Sequence, residues 1–448
     1  MRAFFTLAIM LLAGAARADD DSKLPAWLAG TRKTTDLDRK VDGWFVDALP
    51  IVAFDPNKGL ELGAAGHLTL DGSRKDPLFA YSPYRHRFYA QFLASTGGFI
   101  QPQLTYEGIY VGDTPFRLRV VLEYDRNTSA NYFGNGETTL KNLNYGGQSF
   151  DTYDDAVSAL GNHYYHYGYD KPVGEVKIER GFFGGRLRAQ AGVTVQHTSI
   201  TRQDSQAAVW LDGQAPAPPG SPTTKLGMDC LSGAATGCNG GWNNLVKLGI
   251  AYDTRDYEPD PRSGVFIDAT GQLSARAFGS AADYGRFTMA ARLYVSPFPK
   301  LADLVLAGRA LYSIQSADVP FYAMDTLGMA AGVDDWTDQT GLGGERTLRG
   351  YHDDRFVGHV ATAVNAEVRW TFTRFDLLRQ HFSLQVAPLF DAGRVFDRVD
   401  FSFKDWRYSA GGGLRVGWNR SSIIIFDFAM SPEDRTPEDF YVDYGMPF

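Results

Sequence analysis

Apolar and polar residues alternate one by one, over stretches of about ten residues, from Trp44 to the end of the sequence. Successive side chains of an extended strand point to opposite faces, so each stretch makes a strand with one apolar and one polar side. In residues 116–125 the apolar side is Phe116, Leu118, Val120, Leu122 and Tyr124, against Arg117, Arg119, Glu123 and Asp125. Residues 186–196 set Leu187, Ala189, Ala191, Val193 and Val195 against Arg188, Gln190, Thr194 and Gln196. The pattern recurs in residues 100–110, 287–295 and 364–372.

A soluble sandwich would bury the apolar side against a second sheet. A membrane barrel turns it to lipid and lines a wet lumen with the polar side. Rings sit near strand ends (Tyr106, Tyr110, Trp370, Phe372), as an interfacial girdle requires. Tight turns at residues 111–115, 181–185 and 419–421 alternate with interruptions of about forty residues, the asymmetry of short periplasmic turns and long external loops. Phe440, Val442, Tyr444, Met446 and Phe448 fall on one face, an ending that resembles the C-terminal strand signal of bacterial outer-membrane proteins. The expected fold is therefore all-β, a transmembrane antiparallel β-barrel of about sixteen strands, bacterial outer-membrane type.

Arg2, the apolar residues 3–12 and Ala16-Arg17-Ala18 form a secretory leader, so residues 1–18 are read as a signal peptide. Residues 19–41 read as a short polar tail and 42–448 as the barrel. Loss of Arg2 and Arg17 takes the formal net charge from −8 to about −10. An acidic exported chain with no basic run is a poor partner for nucleic acid. After the leader no apolar run reaches the ~18 residues of a spanning helix. Cys230 and Cys238, the only cysteines, are expected to form a disulfide in an exported protein. They lack the further ligands a zinc site needs, and no metal or cofactor is expected.

Residues 341–358, GLGGERTLRGYHDDRFVG, interrupt the alternation between the eleventh and twelfth strands. So much glycine around Arg349 suits a loop that holds one shape and delivers a cation to one place. Parity puts Glu367 on the lumenal side of strand twelve and Asp391 on that of strand thirteen, within reach of a guanidinium that binds carboxylates in a fork. The alternative is a solvated loop charge worth ~0–1 kcal/mol; the glycines and the two lumenal acids favour a docked loop.

The glycine-rich loop with Gly343, Gly344, Arg349, Gly350 and Tyr351, its sixth-external-loop position, and Asp391-Ala392-Gly393 resemble the BamA/TamA bacterial surface antigen family. Residues 252–256 and 261–264 resemble that family's eighth-to-ninth turn, and residues 50–60 the opening hairpin of its members without POTRA domains. Leu348 stands where the family usually has valine. The resemblance implies an RGY loop folded into the lumen, its arginine paired with acids on strands twelve and thirteen. It also implies protein insertion or translocation at the outer membrane. Residues 19–41 are too few for a POTRA domain, so the expectation is a member without them, and client handling through such domains does not carry over.

Pro50 in the first strand and Gly445 and Pro447 in the last weaken ladder pairing, which marks either a lateral seam or merely strand ends. No histidine pair or nucleophile–base arrangement points to an enzyme. The partners expected are the lipid bilayer of a Gram-negative outer membrane, client outer-membrane proteins, and the barrel-assembly machinery for the chain's own insertion, with the chain itself a monomer. A passive channel, and a surface receptor acting through long external loops, are the alternative functions.

Overall fold

The structure, a computed structural model, describes residues 25–28, 33, 37, 40–55, 58–141, 143–145, 148–150, 164–202, 224–300, 302–316, 318–327, 341–400, 402–419, 422–432, 440–444 and 448. The signal peptide expected at residues 1–18, and Gly445, Met446 and Pro447, lie outside the described residues.

Among the described residues sixteen strands make the wall: β1 (Gly43–Asp55), β2 (Gly59–Gly72), β3 (His86–Ser95), β4 (Ile100–Ile109), β5 (Phe116–Asn131), β6 (His166–Phe182), β7 (Leu187–Arg202) and β8 (Leu245–Asp253) form its first half. The second half is β9 (Gly264–Ser274), β10 (Tyr284–Val295), β11 (Leu304–Gln315), β12 (Val360–Leu377), β13 (Gln380–Phe396), β14 (Arg407–Trp418), β15 (Ser422–Met430) and β16 (Phe440–Tyr444). Each pairs antiparallel with its sequence neighbours, from β1–β2 to β15–β16. A two-residue strand at Gly241–Trp242 prolongs the edge of β7, and a small hairpin pairs Leu143–Tyr145 with Gln148–Phe150. No helix among the described residues is long and apolar enough to cross a membrane; this barrel crosses with strands.

Alternation decides which side chains meet lipid. Trp44, Leu104, Leu122, Leu248 and Leu293 are exposed on the outer face, while Asp268, Arg309, Asn365 and Arg415 are buried in the lumen. Buried ion pairs tie strands together there, including Arg87–Glu107 at 2.7 Å between the neighbours β3 and β4, and Lys247–Glu175 at 2.7 Å from β8 past β7 to β6. Charges removed from water are tolerated only when paired in this way.

No ladder joins β1 to β16 among the described residues, so the sheet is not closed by hydrogen bonds; the two edges overlap instead. Ile424 on β15 shares parity with lipid-exposed Phe428 and Met430, yet is only 5% exposed. It packs against Leu49, Ile51, Ala65 and Tyr89 of β1, β2 and β3. Ser422, of the same parity, donates to Asp47 of β1 at 2.5 Å. The lumenal face of β1–β3 thus covers the outer face of β15. Pro50 stands in the middle of β1, opposite Ala64, and so does not mark a strand end.

Both ends of the lumen are covered. At the long-loop end, α1 (Lys225–Ser232), α2 (Phe321–Met324) and the Cys230–Cys238 disulfide build a dome. Its interior contains Tyr132, Tyr167, Leu226, Val319, Phe321 and Val357. At the short-turn end, the segment expected as a polar tail places Leu28 in a cluster with Leu78, Tyr84, Ile109 and Tyr110. Trp27 packs on Tyr110 at 4.8 Å, and Lys40 donates to the carbonyls of Phe79 and Ser82, both at 2.8 Å.

Candidate functional site

The glycine-rich part of the connection between β11 and β12 is not a surface loop. Residues 341–358 fold back into the lumen as a small closed unit. Leu342 and Phe356 exchange backbone hydrogen bonds, and Gly344 N–H donates to the Tyr351 carbonyl at 2.9 Å. The Thr347 hydroxyl ties the turn to the carbonyls of Gly341 and Gly343, at 2.8 and 2.7 Å. Gly343 and Gly344 adopt φ of 128° and 77°. A Cβ at Gly343 would lie 1.9 Å from the His352 carbonyl oxygen, so no side chain fits there. Leu342, Leu348, Tyr351 and Phe356 pack on small lumenal residues of the wall, among them Ala290, Ala361, Ala363 and Val395. Gly393 on β13 completes the bed, because a Cβ there would meet the Leu342 side chain at 3.2 Å.

At the tip, Arg349 is buried and its guanidinium reaches three strands. Its Nε and Nη2 grip both oxygens of Asp391 on β13, at 2.7 and 2.9 Å. Its Nη1 donates to Glu367 on β12 at 2.6 Å and to Asp427 on β15 at 2.8 Å. A fork onto one carboxylate fixes the orientation of the guanidinium plane as well as its position. Arg415 on β14 donates to Glu367 and Asp427, both at 3.1 Å, and Arg369 on β12 donates to Glu367 at 2.8 Å. Three guanidiniums thus balance three carboxylates in a space closed to water. Asn365 joins Asp391 at 2.7 Å to the Thr347 carbonyl at 2.8 Å, anchoring the loop backbone to the same cluster.

Gly350 and Tyr351 carry the contact on to the final strands. Gly350 has φ of 83°, and its N–H donates to the Tyr441 hydroxyl on β16 at 3.0 Å. A Cβ on Gly350 would approach the Ala429 and Met430 backbone of β15 to about 3.0 Å. Tyr351 donates to the Tyr408 carbonyl at 3.3 Å. The loop therefore clasps every strand from β12 to β16.

Sequence parity named Glu367 and Asp391 as acids for Arg349, and both lie against it. It did not name Asp427 or Arg415. Their signals were a lone acid in the apolar run 422–430 and a lone arginine in the glycine-rich 411–418. Phe440 and Val442 are exposed on the outer face. Tyr444 is the last residue of β16, and its side chain lies outside the described residues. Phe448, expected on the same outer face, is instead buried in the lumen beside Tyr294, Val305 and Ala307. Two arginines lie over that ring.

At the short-turn end the connection from β8 to β9 folds under the lumen. Glu258 there is held by Arg117 of β5 through a fork at 2.8 and 2.7 Å, so its carboxyl stays well below its ordinary range against the opposing cost of burial. No group of three or more potential ligand side chains suited to a metal occurs among the described residues.

Residues 114–448 match the Omp85 superfamily domain, and residues 24–85 match a domain of unknown function, DUF5982. No curated protein sequence matches the chain. Among solved structures it is similar to BamA from Haemophilus ducreyi lacking POTRA domains 1–3, at 12% identity and a TM-score of 0.47, over 90% of this chain and 69% of that one. CdiB from Escherichia coli is similar at 11% identity and a TM-score of 0.47, over 89% of this chain and 61% of that one. For CdiB from Acinetobacter baumannii the values are 10% and 0.41, over 95% and 72%.

Proposed function

This chain belongs to the Omp85 superfamily, and from that premise we propose that it assists polypeptides in entering or crossing a Gram-negative outer membrane, with the overlapped β1–β16 seam as their route to the bilayer. The observation that carries this reading is the clasp on the final strands. Arg349 holds Asp427 of β15, and Gly350 holds Tyr441 of β16, so the loop controls one edge of the seam. The opposite edge, β1, is fastened to β15 by side chains. A polypeptide strand adding to an exposed edge gains main-chain hydrogen bonds whatever its side chains, a recognition mode suited to many clients.

Both ends of the lumen are occupied, which is economical for a gate and wasteful for a pore. A passive channel predicts high, steady conductance in planar bilayers; the proposed role predicts low conductance. The decisive experiment is site-specific photo-crosslinking in living cells from the exposed positions 46 and 442, on β1 and β16. Adducts with other envelope proteins support the reading, and adducts with lipid alone at both positions overturn it.

A further inference from the structure

Phe440 and Val442 are exposed on the outward parity of β16, and a regular strand would carry Phe448 to the same side. Phe448 instead lies inside the lumen, 7% exposed, against Tyr294 of β10 and Val305 and Ala307 of β11. Lipid tails are as apolar as any protein interior, so the hydrophobic effect gives no reason for that ring to leave them. Something specific must hold it. The guanidinium carbons of Arg309 and Arg369 stand 5.2 and 5.1 Å from the ring centroid. An aromatic face attracts cations, most strongly where both are out of water. Arg369 also donates from Nη2 to the Phe448 carbonyl at 3.1 Å. The same guanidinium stands 5.8 Å from the Tyr294 ring. Two buried polar atoms at this spot, Tyr294 Oη and Arg369 Nη1, have no hydrogen-bond partner among the described residues. The pocket thus offers more polar capacity than Phe448 uses.

We propose that Tyr294, Val305, Ala307, Arg309 and Arg369 form a lumenal binding site for an aromatic side chain and its adjoining carbonyl. Phe448 occupies it in this structure, and an aromatic residue of another polypeptide can take its place. The site rests on geometry alone, whereas the exchange rests on the polypeptide-handling reading above. Three hydrogen-bonded links run from the loop to this pocket: Arg349 to Glu367, Glu367 to Arg369, and Arg369 to Phe448. Displacing Phe448 therefore disturbs a partner of the loop arginine and loosens the end of β16.

The test places p-benzoyl-phenylalanine at position 448 of the full chain, folded in phosphatidylcholine vesicles. The expected result is an intramolecular adduct mapping to residues 294–307; adducts with lipid alone overturn the site. As a second variant, Ala307→Phe, combined with p-benzoyl-phenylalanine at position 448, fills the pocket and should cut the adduct at least fivefold. An unchanged yield also overturns the site. For exchange, the acetylated and amidated peptide Tyr-Gly-Met-Pro-Phe, the sequence of residues 444–448, should lower the adduct at least fivefold at saturation, while its Phe→Ala version should not. Equal effects of the two peptides, or none, overturn exchange. Loss of envelope-protein adducts from positions 46 and 442 overturns the wider functional reading instead, so the two failures are told apart.

Discussion

Replacing Arg349 with alanine would strand Asp391, Glu367 and Asp427 as excess negative charge in a closed space. Removing one member of a buried ionic cluster typically costs about 3–5 kcal/mol. Arg349→Ala should therefore lower the heat needed to unfold the barrel, read as the temperature at which its gel mobility changes. Adding Asp391→Asn should cost less than the sum of the two single changes, because both act on one cluster. Cysteines at positions 349 and 391 should cross-link efficiently, and a folded barrel that never does so contradicts the docked loop. Gly350→Ala fails for a different reason, namely a left-handed φ of 83° and the neighbouring backbone of β15. We expect a loss of about 1–3 kcal/mol, with trypsin gaining access at Arg349. At this scale the sequence was legible where parity applied. Glu367 and Asp391 followed from counting along two strands, whereas Asp427 and Arg415 depended on how strands curve around a lumen, which counting does not give.

Among the elements, the dome over the long-loop end carries its own titration. Burial first, then the nearby negative charges of Asp325 and Asp353, push the Asp354 carboxyl well above its ordinary range. Burial pushes Asp325 up to about 6, against the opposing pull of Lys171. A carboxyl whose pKa is raised by folding stabilises the folded form fully below its ordinary value, about 4, and loses that contribution as pH rises through the folded value. Docking of residues 321–327 should thus weaken between pH 4 and pH 7. The hydrogen-exchange protection factors of that segment, taken relative to intrinsic exchange at each pH, should be lower at pH 7 than at pH 5, and Asp325→Asn should flatten the difference; an unchanged slope in the variant counts against this assignment. The strands were readable because period two is imposed by the backbone itself. The dome was not, because its packing joins residues far apart in sequence, such as Tyr132, Leu226 and Phe321. Likewise the segment before β1 reads as polar, yet Trp27 and Leu28 find cover under the barrel.

For the molecule as a whole, the occupied lumen and the overlapped seam set opposite expectations for ions and for polypeptides. Conductance should stay low in the intact barrel and rise when residues 341–358 are deleted, provided gel mobility shows that the variant still folds. Cysteines replacing Asp47 and Ser422 should join β1 to β15 on oxidation, given the 2.5 Å contact of the native pair. The stapled barrel should lose its polypeptide adducts and recover them on reduction; undiminished adducts would sink the seam as the route. A cylinder zipped shut by a row of backbone hydrogen bonds opens only by stripping those N–H and C=O groups bare in hydrocarbon, several kcal/mol for each. This one is closed like a rolled sheet of paper whose margins lap. Its girth can change by sliding, with greasy and hydroxyl contacts exchanged for others and no ladder to break. Bilayer thickness and tension, which squeeze or stretch such a roll, then become natural controls on how far the margins part.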